Sequence, residues 1–178
     1  MAAAVAGRLA LQLDVLVVRK IGVPWDPELA IGAVTGDGVR YLNESLIQAL
    51  SLSARDIEIA TQREFESARQ RELALRGSSK AIDTFGREIV VVDDGLATGA
   101  TMTAALQSLK ARLPARLIAA APVGSTEACR AVRECCDKLV CLYRPSRFHS
   151  VGHYYQDFEQ VSEEQVKEYL AGLRPSTY

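Results

Sequence analysis

Asp93 and Asp94 stand side by side directly after the apolar run Ile89-Val90-Val91-Val92, and Gly95-Leu96-Ala97-Thr98-Gly99-Ala100-Thr101 follows them. Two adjacent carboxylates at the end of an apolar strand carry a desolvation cost that a ligand or a metal ion would offset. Open α/β sheets place ligands beyond the carboxyl ends of their strands, so the pair is expected to face a site. Gly95 and Gly99 permit a tight turn. The periodic residues Met102, Ala105, Leu106 and Leu109 then predict a helix whose first-turn amides are free to hold an anion. Thr98 and Thr101 add hydroxyl donors. The segment reads as a phosphate cradle with two acids at its mouth.

The elements that must position this cradle follow from the pattern around it. Four β-branched apolar residues, Ile89 to Val92, predict a strand buried on both faces, as in a parallel sheet. Strands Leu117 to Val123 and Leu139 to Tyr143, with a helix from Ser125 to Cys135 between them, continue an alternation that predicts parallel strands joined by crossover helices. Upstream, an alanine-rich helix to about Leu11 precedes a predicted strand Leu13 to Val18, after which Arg19 and Lys20 follow at its carboxyl end. Gly22, Pro24 and Pro27 predict a loop from Gly22 to Glu28, with Trp25 at its tip, able to serve as a closing lid. Leu29 to Val34 and Val39 to Leu42 flank Thr35-Gly36-Asp37-Gly38 as a β-hairpin. Ser53 with Asp56 predicts a capped helix to about Arg76, dense in charges of both signs, which suits a solvated or dimer-facing helix. Gly77 to Gly86 reads as a loop. Arg144 to Asp157 reads as a long aromatic-bearing loop, and Ser162 to Gln165 as the capped start of a last helix ending near Leu170.

At 178 residues, 48% hydrophobic and 24% charged, the chain suits one globular domain spanning residues 1–178. A net charge of −1 and a pI near 6.2 give no electrostatic reason to expect nucleic acid. No apolar run approaches the roughly 20 residues of a membrane helix, and Met1 to Leu13 lacks the basic start and long apolar core of a signal peptide, so a cytoplasmic location is expected. Cys129, Cys135, Cys136 and Cys141 lack zinc-site spacing and are expected as reduced, partly buried thiols. A receiver domain also ends a strand in paired aspartates, but it needs a further aspartate at the end of a later strand, and neither later strand supplies one.

Asp93-Asp-Gly-Leu-Ala-Thr-Gly-Ala-Thr101 after a valine strand resembles the phosphoribosyl pyrophosphate motif of type I phosphoribosyltransferases. The resemblance implies a parallel-sheet, Rossmann-like α/β core with a hairpin, a long charged helix and a C-terminal aromatic hood. It also implies that Asp93 and Asp94 hold the ribose hydroxyls, where magnesium also binds, and that Leu96 to Thr101 wrap the 5-phosphate. Gly95 replaces the aliphatic residue usual at that point. Arg19 and Lys20 then suit a pyrophosphate leaving group, whose charge grows as the glycosidic bond breaks, or they are a solvated pair. Leu13 to Gly22, Pro27 to Val34, Leu42-Asn-Glu44 and the stretch Val151-Gly to Tyr155-Gln-Asp-Phe158 are similar to a bacterial group of predicted phosphoribosyltransferases. Phe148 to Asp157 resembles the base-stacking stretch of hypoxanthine-guanine enzymes with one residue more in each spacing, which nominates Phe148 and Val151 for the base site. An aromatic near a strand end also packs simply as core. His149 and His153 share that loop, either as side chains able to exchange protons or as plain exposed histidines.

Two departures shape the functional expectation. Purine enzymes of that type carry a proton-exchanging acid three residues after the second acid, where this chain has Ala97, so a purine is not implied. Orotate enzymes manage without it. The family also places a strand and an Arg-Gly-Gly type loop directly before the helix to which Met1 to Leu11 corresponds. Either such a strand is encoded upstream of Met1, or half the pyrophosphate site is lost. The expectations are an enzyme that transfers the phosphoribosyl group from magnesium phosphoribosyl pyrophosphate to a small nitrogenous base, a binding module that kept the cradle without turnover, or a scaffold that forms a homodimer through the charged helix.

Overall fold

The computed structural model describes residues 1–77 and 79–173, and divides the strands between two three-stranded sheets. Helix α1 (Ala2–Leu9) leads into Leu13–Val17, which was expected as a strand but lies outside both sheets. Its main-chain groups are taken elsewhere. Leu13 N–H donates to the Leu173 carbonyl (3.3 Å), Val17 N–H to the Glu72 carboxylate (2.9 Å), and the Val15 carbonyl accepts from Arg76 (2.5 Å). Regular pairing begins only at Val18, with β1 (Val18–Val23) antiparallel to β2 (Asp26–Thr35) and β2 antiparallel to β3 (Arg40–Leu42). Arg19 and Lys20 therefore lie inside an antiparallel ladder, opposite Val34 and Ala33, and not at the carboxyl end of a parallel strand. The expected lid is a hairpin: Val23 pairs with Asp26, and Pro24-Trp25 form the turn between them. Gly32 is required by close approach, since a Cβ there would lie 2.2 Å from the Tyr41 carbonyl oxygen on β3.

The tip of the β2–β3 hairpin is clamped to the rest of the molecule. The Asp37 carboxylate accepts from Ser108 (2.6 Å), from Arg112 (2.7 Å) and from the Thr35 hydroxyl. Burial pushes this carboxyl up, but the hydrogen bonds from Arg112, Ser108 and Thr35 outweigh it and hold the group near about 2, against an ordinary 3.8. A depressed folded-state value means the clamp stabilises above the ordinary carboxylate range and is lost as pH falls toward that folded value. Asp37→Asn is expected to cost about 1–2 kcal/mol at neutral pH. The deficit should narrow as pH is lowered from about 4 toward 2. Thermal melts of parent and variant across that range check it, and a deficit independent of pH would refute the ionic account.

After the short α2 (Glu44–Ala49), α3 (Ala54–Arg76) opens as expected, with the Ser53 hydroxyl accepting from the Asp56 amide at 3.1 Å. The helix is not solvated all round. Ala60, Thr61, Ala68, Glu72 and Leu75 are buried, and the helix packs on β1 and β2. Arg76 bridges Glu72 and Asp14 (3.1 Å), so α3 holds Leu13–Val17 in place.

The second sheet carries the acid pair. β4 (Glu88–Val92), α4 (Ala100–Lys110), β5 (Arg116–Val123), α5 (Thr126–Arg133) and β6 (Lys138–Tyr143) form a parallel sheet in the order β4-β5-β6 with crossover helices, as the alternation predicted. Leu96, Met102, Leu106, Leu117, Ala119, Cys129 and Val132 form its core, each large side chain contributing about 1.5–3 kcal/mol by burial. β4 is a rim strand, and a cavity of about 490 Å³ separates Ile89–Val92 from Leu13–Val18 above Met102, Ala105 and Leu109. Ile89 to Val92 are consequently half-buried, not enclosed on both faces.

The connection after β6 holds a 3-10 turn, Val151–Tyr154, and leads to α6 (Glu163–Gly172), whose Ser162–Gln165 capping box is complete. The four cysteines are free thiols, and burial with the neighbouring Cys141 sulfur pushes Cys129 up to about 11. No helix among the described residues is long and apolar enough to cross a membrane.

Candidate active site

The acid turn begins where the ladder ends. Asp93 N–H still donates to the Ala120 carbonyl (3.1 Å), and the Asp93 carboxylate accepts the Asp94 amide (2.9 Å). Burial pushes the Asp93 carboxyl up and the adjacent Asp94 charge adds to the rise; burial also raises Asp94, opposed in part by the Gly95 amide. Neither acid has a cationic side chain in ion-pair range among the described residues. A half-buried acid beside a second, exposed one, with no cationic side chain in range among the described residues, forms an electrostatic deficit that a cation or hydroxyl donors would relieve.

The loop beyond is stapled from beneath. Leu96 N–H donates to the Val123 carbonyl, the Leu96 carbonyl accepts from Ser125 N–H (both 2.9 Å), and the Ser125 hydroxyl donates to the Ala97 carbonyl at 2.9 Å. With its carbonyls tied down toward the β5–α5 junction, the loop leaves Ala97 and Thr98 exposed. Gly99 has φ 79, which favours glycine, and the Thr98 hydroxyl accepts the Ala100 amide (3.3 Å) as α4 begins. The α4 first-turn amides have no helical acceptors and open onto this loop. Leu96, also nominated for phosphate contact, is 1% exposed and its N–H and carbonyl are taken by Val123 and Ser125, so it anchors the loop to the core.

Over the acid turn lies the aromatic connection. Val151 packs on Gly95, and the Tyr155 hydroxyl donates to the Asp94 carbonyl at 2.5 Å. Burial, then the Asp94 and Asp93 charges, raise the Tyr155 phenol, which keeps it a donor. Phe148 is one step removed. Its ring is 5.7 Å from Tyr154, which contacts Tyr143 at 5.8 Å and donates to the Arg147 carbonyl. His149 and His153 are exposed, their rings 5.3 Å apart.

Of the expected basic pair, Arg19 lines the rim-strand cavity together with Asp93 and Thr101, and is ion-paired to Glu64 (3.3 Å). Lys20 is exposed and, by strand alternation, projects from the opposite face. Ser125 and Tyr155 were not singled out from sequence. A Gly-Ser pair closing the next parallel strand was the available signal for Ser125, because neighbouring strand ends share one rim. Ser125→Ala removes both the Ala97 staple and the α5 N-cap bond to Ala128 N–H (3.0 Å). The expected cost is about 1–2 kcal/mol in denaturant unfolding.

Comparison with known proteins gives the family of the fold. Residues 1–157 match the model of the "Phosphoribosyl transferase domain" family. A Mycobacterium tuberculosis protein named "Putative phosphoribosyl transferase", in strains CDC 1551 and H37Rv, is 39% identical over 166 residues, 93% of this chain. The chain spans only 38% of that relative's length. The crystal structure of TT1426 from Thermus thermophilus superposes with a TM-score of 0.78 at 36% identity, covering 97% of this chain and 82% of the other.

Proposed function

The chain belongs to the phosphoribosyl transferase domain family, and on that premise we propose that it binds magnesium phosphoribosyl pyrophosphate at Asp93–Thr101 and transfers the phosphoribosyl group to a nitrogenous base. The observation that carries this reading is the acid pair, Asp93 half-buried and Asp94 exposed, with no cationic side chain in ion-pair range among the described residues, set at a strand end beside a Gly-Thr loop that opens onto a helix N-terminus. Asp93 and Asp94 accept from the ribose hydroxyls. The loop amides of Ala97 to Gly99, with the Thr98 and Thr101 hydroxyls, hold the 5-phosphate, while the Gly95 and Leu96 amides are engaged by Asp94 and the Val123 carbonyl and shape the loop. Arg19, which shares a cavity with Asp93 and Thr101, is the candidate for the departing pyrophosphate; Lys20 projects away and takes no part. Phe148 and Val151 border the base side.

Magnesium suits this donor set. No group of three or more His, Cys, Asp or Glu side chains able to hold a metal occurs among the described residues. Asp93 and Asp94 would supply the protein's share of ligands, with substrate oxygens and water completing the shell, which is the habit of this cation. When bound, the ion neutralises charge on the leaving pyrophosphate. The rest of the chemistry is positional: the residues fix ribose and phosphate so that a nucleophile can approach the carbon that pyrophosphate leaves. Ala97 supplies no proton acceptor, which favours a base already able to attack through a nitrogen lone pair or anion.

A second reading, a sensor that binds phosphoribosyl pyrophosphate without turnover, is favoured by Ala97 alone. Calorimetric titration of phosphoribosyl pyrophosphate with magnesium, followed by pyrophosphate release against a panel of bases, tests both readings. The expected result is a dissociation constant of about 1–100 μM with release for at least one base. Binding without release from any base favours the sensor, and no binding overturns both.

A further inference from the structure

We propose that the hood segment Val151–Phe158 sets the geometry of the acid turn, with Tyr155 a positioning residue for Asp94 and Val151 a wedge that fixes the Gly95 peptide. The proposal rests on the reading of Asp93–Thr101 as the phosphoribosyl pyrophosphate site. It adds to the hood's place beside the base a task toward ribose and metal.

Tyr155 and Asp94 are 61 residues apart in the chain and are joined by the 2.5 Å bond from the phenol to the Asp94 carbonyl. That carbonyl and the Gly95 N–H belong to one peptide plane, so holding the oxygen also fixes the direction of the amide and limits rotation of the Asp94 backbone. The Tyr155 ring is backed by Phe158 at 5.0 Å, and Phe158 sits where a Cβ on Gly152 would come within 3.1 Å of its ring. The hydroxyl thus hangs from a packed aromatic pair and not from a free side chain.

Gly95 meets the same segment from the other side. Its φ is not in the left-handed region that favours glycine, so backbone freedom does not explain the residue. Space does. A Cβ at this position would lie 2.7 Å from both Val151 methyls and 3.2 Å from a Val123 methyl. Beneath, Leu96 N–H and carbonyl are bonded to Val123 and Ser125 (2.9 Å each). The turn is therefore held between the hood above and the β5 end below. Asp93 and Asp94 carry like charge with no cationic side chain in ion-pair range among the described residues. The clamp keeps them in the arrangement a ligand needs, the form of preorganisation that binding sites rely on.

Titrations of phosphoribosyl pyrophosphate with magnesium into the parent, Tyr155→Phe, Gly95→Ala, Val151→Ala and the Gly95→Ala/Val151→Ala double variant test this, with amide hydrogen exchange followed by NMR. Tyr155→Phe keeps the ring and loses only the donor; about tenfold weaker binding is expected, with an unchanged melting midpoint and faster exchange at the Gly95 amide but not at Leu106. Gly95→Ala should weaken binding about tenfold or more, Val151→Ala about threefold, and the double variant should recover to within about threefold of the parent. Parent-like binding and exchange in Tyr155→Phe, or failure of Val151→Ala to rescue Gly95→Ala, overturns the proposal. If the parent itself does not bind, the functional reading falls, and the exchange data still decide whether Tyr155 braces the acid turn.

Discussion

Replacing Asp93 and Asp94 together by Asn is expected to weaken binding of magnesium phosphoribosyl pyrophosphate at least about a hundredfold while leaving the fold as stable as the parent or more so. The two halves of this expectation have one cause. Burial raises both carboxyls and the Asp94 charge adds to the rise at Asp93, so the folded protein holds these charges less readily than the unfolded chain does. For an acid whose folded-state value is raised, ionisation costs stability at neutral pH, and the cost vanishes as pH falls below the ordinary carboxylate range. Asn has nearly the same shape and no charge, so the variant's advantage should appear at pH 7 and disappear on acidification. Calorimetric titration reads the first half and melts across pH the second. Ordinary binding by the variant would remove the acids from the site. A loss of stability at neutral pH would mean that the pair has a counter-charge holding it.

Glu72→Ala is expected to be the most damaging single change to stability, at about 3 kcal/mol. Glu72 is 8% exposed and accepts from the Val17 amide (2.9 Å) and from Arg76. Removing it leaves the buried Val17 N–H without its acceptor and leaves Asp14 as the remaining ionic partner of Arg76 among the described residues. Breaking one side of a buried pair costs more than the pair itself contributes, because the remaining charge stays desolvated. Leu13–Val17 would loosen from α3, and Arg19 with it. Denaturant unfolding measures the cost, and a change below about 1 kcal/mol would show that water replaces the carboxylate.

The parts of this molecule that were legible in its sequence are those decided within a few residues. The strand–turn–helix around Asp93, the hairpin about Thr35 to Gly38, and the Ser53 and Ser162 caps each rest on local pattern and turn chemistry. Where the reading slipped, a distant partner had decided the matter. Leu13–Val17 has the composition of a strand, but Glu72, Arg76 and Leu173 claim main-chain groups that a ladder would use. The slip at Gly22 to Glu28 was instead local: the expected lid is a hairpin because Val23 and Asp26 pair across Pro24-Trp25, where the Gly and Pro content read as a loop. Asp93 and Asp94 stood out as candidate site residues by type and position. Tyr155 and Ser125 did not, since a tyrosine in a loop and a serine before a helix have many ordinary uses, and only the fold reveals which carbonyl each one meets.

The bonds that shape the acid turn join residues far apart in the chain, and this bears on when in folding the site comes into being. The Ser125–Ala97 staple closes a loop of 28 residues and the Tyr155–Asp94 bond one of 61. Loop-closure entropy grows with the logarithm of length, so the longer closure costs only about 0.7 kcal/mol more, but it has no strand ladder of its own to repay it and must wait for β6 to dock. On dilution from denaturant, helical signal should return before ligand competence. The interval between the two would be the time the chain spends as a formed sheet with an unfinished site.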